Sequence, residues 1–256
     1  MRLFRLAVVL AIAAMSACAA IPARAAEIRV ITPGVISNSG LPDVANAFEK
    51  KTGIRVVIQV DGMGSILEDI RARPADVVML PMDLMGTAVL KGMASDFTPL
   101  GRVEIGLFKK PDAPRPGIST VPALVAAMKT ASVVFYTDPA SGSMQAGMSA
   151  HMLARPDFAG IRSQPIKGDA EPALKRGDGD VRAMGLGLIH GPHSANDTDA
   201  SPWLVGPLPA ELGMHMDMAT GISARSTDRQ SAAAFIRFAT SPAMRAVWKA
   251  KGVDRY

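Results

Sequence analysis

The chain has 256 residues, 48% of them hydrophobic and 20% charged, a balance that supplies a sizeable buried core and excludes disorder or a low-complexity array. Its formal charge is +5, but three of its 28 basic residues, Arg2, Arg5 and Arg24, lie in the first 25 positions without an acid, so the remainder holds 25 basic against 23 acidic residues. Basic residues interspersed with acids do not form the clustered surface that displaces counterions, so no nucleic-acid role is expected.

Residues 1–25 read as a secretory signal peptide: a basic start through Arg5, an apolar run from Leu6 to Ala20, and Ala23-Arg24-Ala25 as the small-residue cleavage region. The apolar run is shorter than the roughly 20 residues that span a bilayer, so it predicts export to the periplasm rather than an anchor. Cys18 is the single cysteine. The Met15-Ser16-Ala17 before it is a poor lipoprotein acceptor, which makes lipid attachment there the weaker alternative.

After the leader, Glu27 to Ile31 is a β-rich run, followed by a loop through Ser39 and a helix with Leu41, Val44, Ala45 and Phe48 on one face. Ile54 to Val60 is a second strand, completing a β-α-β unit. Gly62-Met63-Gly64-Ser65 then opens a helix carrying Ile66, Leu67 and Ile70, and Ala75 to Leu80 is a third strand. Short helices over 84–92 and 119–129 flank a strand at Val103–Phe108. Val133 to Tyr136 is a strand running into Asp138-Pro139-Ala140-Ser141-Gly142-Ser143 and a helix through Met152. Ala183 to His190 reads as a glycine-rich strand, Ala219 to Ser223 as another, and two helices over 228–240 and 242–251 close the chain. Strands interleaved with helices predict an α/β fold with mainly parallel sheet, in which ligands gather beyond the carboxyl ends of strands.

Five features resemble, in order, the molybdate-binding-protein-like family of type 2 periplasmic solute-binding proteins. They are the strand and loop Val30–Ser39 before a helix ending Ala47-Phe48-Glu49-Lys50-Lys51-Thr52-Gly53; Gly62-Met63-Gly64-Ser65 leading to Pro74-Ala75-Asp76-Val77-Val78; Tyr136-Thr137-Asp138-Pro139-Ala140-Ser141-Gly142; Lys175 to Asp180 leading to Gly187-Leu188-Ile189-His190-Gly191; and the tail Ala234 to Ala243. The resemblance implies two α/β lobes closing over a cleft, with residues 26–101 plus 219–256 in one lobe and 102–218 in the other. It also implies a monomer without a cofactor, handing a small anion to an inner-membrane permease of an ABC transporter.

Three loops present hydroxyls or open backbone at helix starts: Ser37-Asn38-Ser39, Gly62-Met63-Gly64-Ser65 and Ser141-Gly142-Ser143. Free N–H groups there attract an anion, although such residues also serve as ordinary helix caps. With Tyr136 and His190 they form the expected ligand set. Met63 and Gly64 stand where the family often has hydroxyls, and His190 stands where it has a tyrosine. Both departures point away from molybdate itself and, through the imidazole donor, toward a carboxylate.

Two other chemistries fit the same residues. On a similar scaffold, resembling aconitate isomerases, His190 with Tyr136 or Asp138 would move a proton. A receptor serving a sensor rather than a permease would need no change of site. A metal held by His190, His193 and the methionines near His215 is disfavoured by spacing, since alternating methionines more often fill a core. Arg71, Arg73, Arg102, Arg115 and Arg182 are scattered and stay outside the expected site.

Overall fold

The computed structural model describes residues 26–168, 170–176, 180–190 and 202–256. Residues 1–25, including Cys18, and Gly177-Asp178-Gly179 and His193 lie outside the described residues. β1 (Glu27–Pro33) is flanked in parallel by β2 (Arg55–Asp61) and β3 (Val77–Pro81), and all five residues of β3 are buried. Alternate residues feed opposite faces, as the pleat requires. Val30, Val77 and Met79 join one apolar cluster, whereas Ile31, Val78 and Leu80 join a second.

Two helices of this half were legible from periodicity. α2 (Leu41–Thr52) buries Leu41, Val44, Ala45 and Phe48, and ends at Gly53, whose N–H bonds to Glu49 O at 2.8 Å. Phe48 meets Phe235 of α8 (Arg229–Ala239) edge-to-face at 5.2 Å, tying the first and last parts of the chain over one face of the sheet. The expected loop after β1 instead contains a five-residue helix, α1 (Gly34–Asn38).

The greatest departure from the sequence reading is β4, which runs from Ala94 to Lys109 rather than only over 103–108. Its first part pairs antiparallel with β9 (His215–Ser223), and its last part pairs antiparallel with β7 (Met184–Leu188) and β8 (Leu204–Pro207). β7 in turn lies parallel to β5 (Val134–Thr137), and β5 lies parallel to β6 (Ser163–Ile166). The sheet order is thus β2-β1-β3-β9-β4-β7-β5-β6, with β8 also on β4. Parallel pairing holds within each flank. The seam is antiparallel because β4 and β9 traverse it in opposite directions.

Apolar clusters change at that seam. Leu100 and Val103 pack with Met216, Met218 and Trp248, whereas Ile105 and Leu107 pack with Leu124, Met128, Val134 and Leu186. The remaining helices flank the sheet: α3 (Ile66–Ala72), α4 (Met82–Leu90), α5 (Val121–Thr130), α6 (Met144–Leu153), α7 (Ala170–Arg176) and α9 (Arg245–Lys249). Among the described residues, no helix is long and apolar enough to cross a membrane.

Candidate ligand site

The carboxyl ends of β1, β2 and β7, and the segment that follows β5, border one cavity of about 310 Å³. From the β1 end come Pro33, Gly34, Val35 and Asn38, and from the β2 end Asp61, Gly62 and Met63. Ser141, Ser143, Met144 and Gln145 enter across the start of α6. Leu188 ends β7, His190 follows it, and Met216 of β9 completes the wall. Residues from strands on either side of the seam therefore border the same space.

Local chain chemistry explains how the α6 corner is held. Asp138 turns the chain out of β5 by accepting a hydrogen bond from Ala140 N at 2.9 Å, which starts a short 3₁₀ turn over Pro139–Ser141. Gly142 ends that turn at φ 69°, a left-handed conformation that glycine adopts without a Cβ penalty. Ser141 Oγ then accepts from Ser143 N at 3.2 Å, leaving the Ser143 side chain outside any capping bond. Gln145, only 4% exposed, donates from Nε2 to Thr137 Oγ1 at 3.4 Å. Thr137 is itself buried and donates to Gly168 O at 3.1 Å.

Of the expected ligand set, Asn38, Gly62, Met63, Ser141, Ser143 and His190 border the cavity, and Ser37, Ser39, Gly64, Ser65, Tyr136 and Gly142 do not. Ser39 is fully buried and its hydroxyl donates back to Val35 O, so it serves the helix turn rather than a guest. Ser65 precedes α3 and its hydroxyl reaches toward Gly62 O at 3.5 Å. Tyr136 packs against the second-half core, and the Asp138 carboxylate is engaged with Ala140 N. Neither Tyr136 nor Asp138 borders the cavity that His190 borders.

Sequence reasoning missed Pro33, Gly34, Val35, Asp61, Met144, Gln145, Leu188 and Met216. Asp61 was legible in principle, since it ends a predicted strand directly before the glycine loop. Leu188 and Met216 carried no signal, because their neighbourhood depends on how the seam strands pair. Asp61 Oδ1 accepts from Arg73 Nη1 at 2.5 Å, and its carboxylate is the single acidic group bordering the cavity among the described residues. No lysine or arginine borders it among those residues. Arg115 donates instead to the carbonyls of Leu204 and Val205, and Arg102 pairs with Asp217. Met214, Met216 and Met218 are buried in the apolar clusters, and among the described residues no group of His, Cys, Asp or Glu is arranged to hold a metal.

The sheet, with its two reversed seam strands, thus carries its cavity outside the carboxyl ends of its strands, where open α/β folds bind their ligands. The chain belongs to the family of bacterial extracellular solute-binding proteins, matching it over residues 38–254. Its fold resembles the substrate-binding domain of a putative molybdenum ABC transporter from Clostridium difficile, with a TM-score of 0.72 at 12% identity, covering 90% of this chain and 99% of that one. A tungstate-binding protein from Desulfovibrio alaskensis gives 0.64 at 17% identity, covering 90% and 98%, and the periplasmic molybdate-binding protein of Azotobacter vinelandii gives 0.62 at 16%, covering 88% and 98%. No curated protein matches the chain.

Proposed function

We propose that the chain is a periplasmic receptor that captures a small anion, an oxyanion or a small carboxylate, and delivers it to an inner-membrane ABC permease. The observation that carries this reading is the cavity bordered by strand ends from both sides of the seam. Asn38, Ser141, Ser143 and His190 bring side-chain donors to it, and a ligand taking those bonds would hold the two sides together. The family membership and the molybdenum, molybdate and tungstate relatives of the fold support transport.

The same reading makes residues 26–101 plus 219–256 one lobe and 102–218 the other, with β4 and β9 as the crossings. The change of apolar cluster between Val103 and Ile105 supports a boundary close to that. Residues 1–25 act as the export signal, and the mature protein works as a monomer. A ligand that binds only the folded state raises its melting temperature. A thermal-shift screen against molybdate, tungstate, sulfate and small mono-, di- and tricarboxylates should return at least one saturable rise. A flat response to every member, checked by calorimetry at millimolar ligand, rejects the reading.

A further inference from the structure

Part of the cavity wall has no use for charge. Val35, Met63, Met144 and Leu188 all border the space and are only half-buried, and the buried Met216 borders it beside them. Val35, Met144 and Leu188 pack in part against the apolar clusters, yet each keeps accessible surface. Met63 joins no apolar cluster among the described residues, so core packing does not account for a large apolar side chain in this glycine loop. Among the described residues no lysine or arginine borders the cavity, and its acid, Asp61, is paired with Arg73. A second negative charge brought here would lose its water against apolar side chains and gain no cation. The volume of about 310 Å³ also gives room for roughly ten water-sized atoms at the 30 Å³ each takes in the liquid, well beyond a tetrahedral oxyanion.

Building on the small-anion reading, we propose that the ligand is a monocarboxylate with an aliphatic body of several carbons, and that Met63, Met144, Leu188 and Met216 read that body. Its single charge takes the neutral donors of Asn38, Ser141, Ser143 and His190, which border the same space. The body covers the apolar wall, the division of labour usual in small-molecule pockets, where a few placed polar groups stand among apolar ones. Methionine is unbranched and adaptable, so the wall grades ligands by length more than by branching. Each methylene laid against it is worth about fourfold in affinity.

A chain-length series tests this on the wild-type protein. Calorimetric titration with acetate, butyrate and hexanoate keeps the charge and changes only the body, while succinate adds a second charge and molybdate has no carbon. The expected result is one-to-one binding that tightens about tenfold or more from acetate to butyrate and again to hexanoate, with succinate and molybdate at least tenfold weaker than hexanoate. Met63→Gln keeps the length of the side chain and makes it polar. It should weaken hexanoate about fivefold while changing acetate by less than twofold. Equal affinity for acetate and hexanoate, or tighter binding of succinate or molybdate, overturns the proposal and leaves the small-anion reading intact. An unchanged chain-length dependence in a folded Met63→Gln overturns the assignment of Met63 to the wall. Should that variant fail to fold, the wild-type series decides. Silence of the whole series, with tungstate, sulfate and tricarboxylates equally silent, overturns the small-anion reading and this inference together.

Discussion

Arg102 and Asp217 face each other across the antiparallel seam of β4 and β9 and form a two-pronged ion pair, with Nε–Oδ1 at 2.8 Å and Nη2–Oδ2 at 3.1 Å. Tyr256, the last residue, donates its hydroxyl to Asp217 Oδ1 at 2.5 Å, and His215 Nε2 lies 3.7 Å from Oδ2. The Arg102 backbone also bonds in both directions with Asp254, at 2.7 and 2.8 Å. The carboxyl-terminal tail is thereby laced to the strand that links the two apolar cores.

These contacts give the seam a defined pH dependence. The Arg102 hydrogen bond, helped by Tyr256, holds the Asp217 carboxyl below the usual carboxylate range despite partial burial. Its folded value lies below its unfolded one, so its stabilisation is present above the unfolded value and is lost as pH falls below about 4. Tyr256 behaves oppositely: partial burial and the adjoining carboxylate push its hydroxyl up to about 12. That stabilisation is present below the ordinary tyrosine value of about 10 and is lost as pH rises through about 12. Urea unfolding across pH should show Asp217→Asn losing about 1 kcal/mol at pH 7 with a shallower acid slope, and Tyr256→Phe a shallower alkaline slope. Identical slopes in wild type and both variants would exclude the cluster as their source.

Close approach of the tail imposes a second requirement. A Cβ on Gly101 would stand 2.5 Å from Asp254 O and 2.8 Å from Val253 Cγ1, too near for either to remain in place. Gly101→Ala should cost about 2 kcal/mol in urea unfolding. Because the clash is with the tail, removing residues 254–256 from that variant should cost clearly less than removing them from the wild type. Additive losses would show that Gly101 is needed for another reason.

Asp76, in the Pro-Ala-Asp-Val segment, belongs to the architecture rather than to the cavity. Buried at 5% exposure, it accepts from Arg29 N at 2.9 Å, Ser226 Oγ at 2.9 Å and Thr227 N at 3.2 Å. It therefore joins β1 to the loop between β9 and α8. Asp76→Ala leaves those donors unsatisfied and should destabilise the protein by about 3 kcal/mol, read as a lower urea midpoint. Ligand affinity of the folded variant should be unchanged, and a selective loss of affinity at full stability would contradict the assignment.

How far the chain could be read in advance follows from where its patterns are local. α2 and α8 were legible because four apolar residues recur at helical spacing in each, and β1, β2 and β3 because β-branched runs are bounded by glycine or proline. The first part of β4 was not. Asp96 has φ 56°, Pro99 interrupts the donor pattern, and the register shifts twice against β9, so neither alternation nor a continuous apolar run marks it. The loop residues of the cavity were half legible: Asn38, Gly62, Met63, Ser141, Ser143 and His190 border it, while Ser39 lies inside a turn whose five-residue helix had no periodic signal. Asp61 escaped notice because a carboxylate at a strand end resembles an ordinary solvated terminus until the cavity beside it is seen.

His190 gives the most direct test of the cavity as a binding site, because it stands just past β7 and borders the space opposite the β1 and β2 ends. Removing one imidazole hydrogen bond to an anionic ligand is worth between about 1.5 and 3 kcal/mol, or roughly ten- to a hundredfold in affinity. Its side chain is only partly buried and ends no secondary-structure element, so truncation should change the melting temperature of the unliganded protein by no more than a degree or two. Calorimetry on His190→Ala with the tightest ligand of the screen should thus show weaker binding by a protein of ordinary stability. Affinity equal to the wild type would place the guest away from β7, and with it the contribution of the second half of the sheet to capture.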